Sequence, residues 1–424
     1  MSVNIKKHIW IAFTWLLILV LFGIFLSPPA LFIREFLGIQ LSVEDMPVRA
    51  TLYIHSAAVV FTALMAFFLL ELFKVDPFIE KLVILMGTAG YFITSISAII
   101  YAYFARHPIP HGIFVFGLSL SFIALLALVY EFFPKGKEKS ATRATMFIML
   151  ILMTITVIIG AIYGSNKRAD LLATVLWERT LVAHLHTTLV IIPMAIVIMI
   201  VEKYKLLKEG TQLTQRVTLY GLWAATIGAL FAVVANYLYI WWGPDAHQVI
   251  TPASSVVLLG SLMIMMAAFK KLIKEKNLSL SGFLITEPLK AGLLFVLFWV
   301  NIVVAIPGVW VAINIEHFRQ PHMKRVAEAF EHGHYHMLAL LSAIVLMFLI
   351  IDHYPINDKI KRWVGYTGTF GYILATGFTV PYMFINPDPY NHFTLPFIDT
   401  GLATVTLSIV LAYYGYTLMI RDQK

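Results

Sequence analysis

Twelve stretches of about twenty mostly apolar residues, each long enough to cross a bilayer, recur along a chain of 424 residues. They lie near 9–27, 48–72, 82–104, 112–133, 144–165, 173–201, 217–242, 248–269, 289–312, 332–351, 362–384 and 397–419. The connections between them are short, which leaves no room for a soluble domain. We therefore expect an all-α integral membrane protein, a single domain over 1–424 built as a bundle of about 12 transmembrane helices. Composition agrees: 60% of residues are apolar and 13% charged, against about 45–50% and about 25% in soluble proteins. That excludes a disordered chain, a fibrous repeat and an ordinary soluble enzyme. The first run is long and no small-residue cleavage site clearly follows it, so it reads as a helix rather than a signal peptide.

Basic residues set the expected orientation. With a cytoplasmic N-terminus, 22 of the 31 Lys and Arg fall in inner segments. This follows the positive-inside rule and puts both termini in the cytoplasm, as in a multi-pass protein of the inner (cytoplasmic) membrane. It also accounts for the net charge of +8 without nucleic acid, since no basic cluster is interleaved with aromatics. Cysteine is absent, which excludes disulfides, Cys-ligated zinc, iron–sulfur clusters, thiolate-ligated haem and covalent haem attachment. Any metal must be held by His, Asp, Glu or Met.

The 14 histidines are the next unusual number. On this topology His8 and His353 lie at inner ends, and the others lie in outer loops or outer halves of helices. His55 sits about two turns below the outer surface in the second run. His184 and His186 lie a little deeper in the sixth. His332, His334 and His336 open the tenth, and His247 follows the seventh. Imidazoles in lipid or an apolar core cost free energy unless paired or ligated, so a common depth near one face points to a shared site. The sharpest segment is Glu331-His332-Gly333-His334-Tyr335-His336. Residues two apart on a helix point about 200° apart. His334 and His336 therefore do not share one metal easily but can serve two planar groups on opposite sides of the helix, whereas His332 and His336 share a face. The bland alternative is a set of interfacial histidines. Ala183-His184-Leu185-His186-Thr187-Thr188 repeats the spacing, so only one of its pair faces a given pocket. Gly243-Pro244-Asp245-Ala246-His247 tops the same region or is a solvated loop.

Twelve helices with cytoplasmic termini, a His in the second, a His in the sixth and a His-x-His in the tenth resemble the catalytic subunit (subunit I) of haem–copper oxidases. The nitric oxide reductase branch is most similar. The resemblance implies that His55 and His336 are the axial ligands of a low-spin haem b. It gives His334 the role of proximal ligand to a high-spin b-type haem, with the shifted register His332 and His334 left open. It makes His184, with Pro193 nine residues on, the sixth-helix ligand of a non-haem iron or copper. Its further ligands would come from His186 or Asp245 and from His247. His184 and His247 would then be the catalytic positions.

Three departures stand against that pattern. The adjacent histidines that the family carries after the seventh helix are replaced by Asp245-Ala246-His247. The oxidase Glu and Tyr of the sixth helix fall at His186 and Thr188, and the reductase Glu also falls at Thr188. The segment Ile385-Asn386-Pro387-Asp388-Pro389-Tyr390-Asn391-His392 lacks the paired arginines that meet haem propionates in oxidases.

The resemblance thus implies reduction of nitric oxide or dioxygen, with electrons passing from the saturated haem to the open one. No Asp or Glu lies in the middle of any run, and Asn236 and Asn301 are the polar residues nearest the middles of the seventh and ninth. We therefore expect no proton pumping, with protons drawn from the outer side. The loop 313–331, with Glu316, His317, Arg319, His322, Lys324, Arg325, Glu328 and Glu331, reads as a docking rim for an electron donor or as a solvated loop. No donor domain is fused, so the donor is another subunit of a hetero-oligomeric complex, a cytochrome c or quinol. Two competing classes remain: a non-catalytic haem b subunit relaying electrons in a respiratory complex, and a 12-helix secondary transporter. The latter predicts internal symmetry and broken helices at the midplane, and no repeat is evident.

Overall fold

A computed structural model describes residues 4–24, 46–104, 108–134, 140–165, 175–318, 320–384 and 393–422. Every regular element among them is helical. Eleven of these helices are long and apolar enough to cross a membrane, so the chain is a multi-span helical membrane bundle. The expected run 362–384 is also one continuous helix, Asp358–Phe384. It is not among the eleven because Gly, Thr and Tyr dilute its apolar content.

Contacts divide the chain into two compact units, Met1–Phe133 with Ile420–Lys424, and Pro134–Met419. The first unit holds α1 (Ile5–Ile24), α2 (Met46–Leu72), α3 (Pro77–Tyr103) and α4 (Pro108–Phe132). Asp76 caps α3 by accepting from the backbone N–H of Phe78 at 2.8 Å, and Pro77 takes the first helical position, where its missing N–H costs nothing. α3 and α4 meet through small residues. A Cβ at Gly117 would stand 2.6 Å from the Thr94 nitrogen, so only glycine permits that backbone approach.

The second unit holds α5 (Ala141–Ser165), α6 (Val175–Lys203), α7 (Gln212–Trp242), a 3₁₀ turn (Gly243–Ala246), α8 (His247–Lys276) and a short α9 (Leu280–Thr286). It continues with α10 (Pro288–Val300), a π turn (Asn301–Ala305), α11 (Ile306–Ile313), α12 (Ile315–Phe318) and a 3₁₀ turn (Pro321–Met323). It ends with α13 (Lys324–His353), α14 (Asp358–Phe384) and α15 (Leu395–Arg421). α6 packs on α5, α7, α8 and α13, and α13 packs on α6, α10 and α14. Both are buried almost all round in their last three turns, from Ile191 to Val201 and from Ile344 to Ile351. This is the pattern of a helix surrounded by other helices.

Two local features differ from the hydropathy reading. α13 begins at Lys324 rather than near 332. Its extra turns, Lys-Arg-Val-Ala-Glu-Ala-Phe-Glu, are made of good helix formers that are too polar to register as a span. His332, His334 and His336 therefore lie three turns or so inside the helix rather than at its start. The ninth run is not one α-helix but is interrupted by the π turn at Asn301–Ala305. Pro307 follows, lacks an N–H and crowds the carbonyl of Val303, which widens the turn before it.

Candidate functional site

α6 and α13 pack together and end side by side. Lys203 Nζ lies 2.9 Å from Asp352 Oδ2, with both side chains under a tenth exposed. The Tyr204 hydroxyl donates to the same oxygen at 3.1 Å. Burial drives the Tyr204 phenol well above its usual range, and the Asp352 charge adds to this, so it stays a donor. The pair fixes the register of two parallel helices. His184 is 19 residues before Lys203, and position 334 is 18 before Asp352. At a rise of 1.5 Å per residue these are about 28 and about 27 Å from the clamp. The two His-x-His rows, 184/186 and 334/336, thus stand level.

On α13, Gly333 faces α14: a Cβ there would come within 2.5 Å of Met383 Sδ and 3.0 Å of Thr379 Cγ2. That face is closed. Position 334 is five full turns from Asp352, on the face that meets Lys203 of α6. His336 is two residues further and exposed. The side chains of His332 and His334 lie outside the described residues.

On α6, the His184 ring rests against Gly160 of α5, where a Cβ would stand 2.7 Å from Cε1. Glycine is the residue that leaves room for this imidazole. Thr187, one turn on, is fully buried. The Tyr237 hydroxyl of α7 lies beside the hydroxyls of Thr156 and Thr187. Neither Tyr237 Oη nor Thr187 Oγ1 makes a contact short and straight enough to be a hydrogen bond. Thr156 spends its hydrogen on the Leu152 carbonyl at 2.8 Å. Buried hydroxyls without partners cost about 1–3 kcal/mol each. Pro193 lies inside α6, and Thr188 Oγ1 donates back to the His184 carbonyl at 2.9 Å. Both bend a helix, so the level of the row is better fixed than its angle about the axis.

His186 is half-buried and points about 200° from His184. His247 opens α8, half-buried, with its ring edge-on to Tyr239 at 5.3 Å, and Asp245 is exposed in the preceding turn. Among the described residues no three His, Asp or Glu side chains converge as a metal site. His184, His186, Asp245 and His247 do not form such a group. The described imidazoles of His184, His186 and His336 carry the donor nitrogen that an iron porphyrin takes.

His55 belongs to the first unit. It is exposed on α2, whereas Tyr53 and Ser56 beside it are buried. In the expected docking rim His317 and His322 are exposed, with rings 5.9 Å apart, and Arg325 is exposed. Arg319 and the side chains of Glu316, Lys324, Glu328 and Glu331 lie outside the described residues, as does 385–392.

The sequence reading passed over Arg179, Gly160, Thr187 and Tyr237. The Arg179 guanidinium on α6 packs onto Gly243, whose φ is +58° and whose added Cβ would lie 2.8 Å from the Arg179 side chain. It locks the first turns of α6 to the α7–α8 turn, and only its charge was visible in the sequence. No family model matches the chain, and no curated protein matches it.

Proposed function

We propose that the chain is a haem-bearing membrane oxidoreductase. A low-spin and a high-spin b-type haem would supply the one-electron chemistry for reducing nitric oxide or dioxygen. The observation that supports it is the level placement of two His-x-His rows on two packed helices, set by the buried Lys203–Asp352 pair. Haem supplies one-electron chemistry and, where a single protein ligand holds it, an open position for a diatomic molecule.

The chain's own groups then take these parts. His334 would hold the open haem. His336 would hold the saturated one. α14 closes the Gly333 face, so planar groups are confined to the other sides of α13. His184 stands level with His334, and the Thr187 and Tyr237 hydroxyls near it donate hydrogen bonds to a small bound molecule. The lysine-rich end faces the cytoplasm.

A second reading, an electron relay without catalysis, is favoured by the ungathered second-metal ligands. Carbon monoxide added to the dithionite-reduced protein separates the two. A reductase gives a Soret component that shifts with the gas. A relay gives only low-spin bands that ignore it. A transporter has no Soret band.

A further inference from the structure

At the lysine-rich end of the second unit, the starts of α10 and α14 and the end of α8 gather more positive charge than negative. Lys290 lies 2.9 Å from Glu287 and 3.9 Å from Asp352, and Lys276 lies 3.0 Å from Glu287. Lys361 Nζ donates to the Asp352 carbonyl oxygen at 3.5 Å, and Asp358 is a third carboxylate close to Lys290. Lys203, Lys290, Lys359, Lys361 and Arg362 around the clamp and the start of α14 thus stand against Asp352, Glu287 and Asp358, five cations to three anions. The surplus lies at the exposed start of α14, in Lys359 and Arg362, and draws an external anion.

The surface next to this surplus says which anion. Lys359, Trp363, Tyr366 and Phe370 form one exposed stripe along α14, spaced as a helix face requires. Beside it α9 exposes Leu284 and Ile285, and the Tyr366 hydroxyl ties the two by donating to the Ile285 carbonyl at 2.8 Å. Reading down the stripe, the chemistry passes from ammonium to indole and phenol to phenyl. That is the order a phospholipid presents from phosphate through interface to acyl chain. A free phosphate would use the lysines but leave Trp363, Phe370 and Ile285 uncovered.

We propose that the surface where α9 meets α14 binds one anionic phospholipid. Lys359 and Arg362, exposed on that face, meet its phosphate, and Trp363 and Phe370 lie along its chains. The proposal does not rest on the haem reading.

The test uses the full-length protein, delipidated in detergent and then given phosphatidylglycerol, phosphatidylcholine or inorganic phosphate. Native mass spectrometry and thermal unfolding are the readouts. Phosphatidylglycerol is retained and raises the unfolding temperature, and the other two do neither. Lys359→Gln/Arg362→Gln weakens phosphatidylglycerol retention roughly thirtyfold, at about fivefold per basic residue near the surface. If that double variant misfolds, the exposed Lys359→Gln alone lowers retention about fivefold, and Trp363→Ala lowers it without touching a charge. Equal retention of both lipids overturns the site, as does retention unaffected by these substitutions. Stabilisation reproduced by inorganic phosphate overturns it as a lipid site.

Discussion

Asp352→Asn and Lys203→Met remove the two sides of the same buried pair, yet the geometry makes their costs unequal. The Asp352 carboxylate has more than one partner. After Lys203→Met it keeps the Tyr204 hydroxyl at 3.1 Å, and Lys290 stays at 3.9 Å. A unit pair at that spacing retains about 4 kcal/mol of attraction at an effective dielectric near 20, before desolvation is charged against it. The loss should therefore be near that of one charge-assisted hydrogen bond, about 1.5–3 kcal/mol. Asp352→Asn keeps the shape but takes the counter-charge from Lys203 and Lys290 at once. Lys290 still has Glu287 at 2.9 Å. Lys203, less than a tenth exposed, is left as an ammonium with no carboxylate in its place. The expected cost is that of orphaning a buried charge, about 3–5 kcal/mol. Equilibrium unfolding in mixed micelles at rising dodecyl sulfate, followed by circular dichroism, measures both. Asp352→Asn lowers stability more than Lys203→Met does. If Lys203→Met costs as much or more, the shared-carboxylate picture of the clamp is wrong.

Three further outcomes follow. Gly160→Leu drives a side chain into the His184 ring, with an overpacking cost of about 1–3 kcal/mol; it should change carbon monoxide affinity while low-spin bands stay put, and an unchanged affinity would separate His184 from the gas site. Burial pushes the Glu287 carboxyl up, but hydrogen bonds and charges from Lys290 and Lys276 outweigh it and hold the group below its usual 4.5. Its contribution is therefore present above that value and lost as pH falls through the lower folded value; the acid limb of the unfolding midpoint should flatten in Glu287→Gln, and an identical limb would remove the linkage. Proteoliposomes turning over with an artificial donor should not acidify their exterior; net outward proton release would reveal a relay that the acid-poor spans do not display.

Most of the fold was legible because a membrane span is a composition signal: eleven of the twelve runs each overlap one described α-helix, and the ninth is split by the π turn Asn301–Ala305. What composition misses is polar helix. The eight residues before His332 form regular helix, but their Lys, Arg and Glu hide them from a hydropathy window, and so the tenth-run histidines were placed too near its end. The histidine spacing gave the candidate rows, since period and depth are sequence properties. The clamp that sets their register was not legible. Lys203 and Asp352 are 149 positions apart, and each reads alone as a charge at the end of a span. Gly160 and Thr187 were hidden for the same reason, because what a glycine makes room for depends on the neighbouring helix.

Haem content of the purified chain tests the central claim most directly, by pyridine haemochrome quantitation alongside reduced spectra of wild type, His334→Ala and His336→Ala. The account predicts two b haems per chain, loss of the carbon monoxide-sensitive one in His334→Ala, and loss of the low-spin bands in His336→Ala. A colourless protein after expression with ample haem, or spectra indifferent to both substitutions, would contradict it.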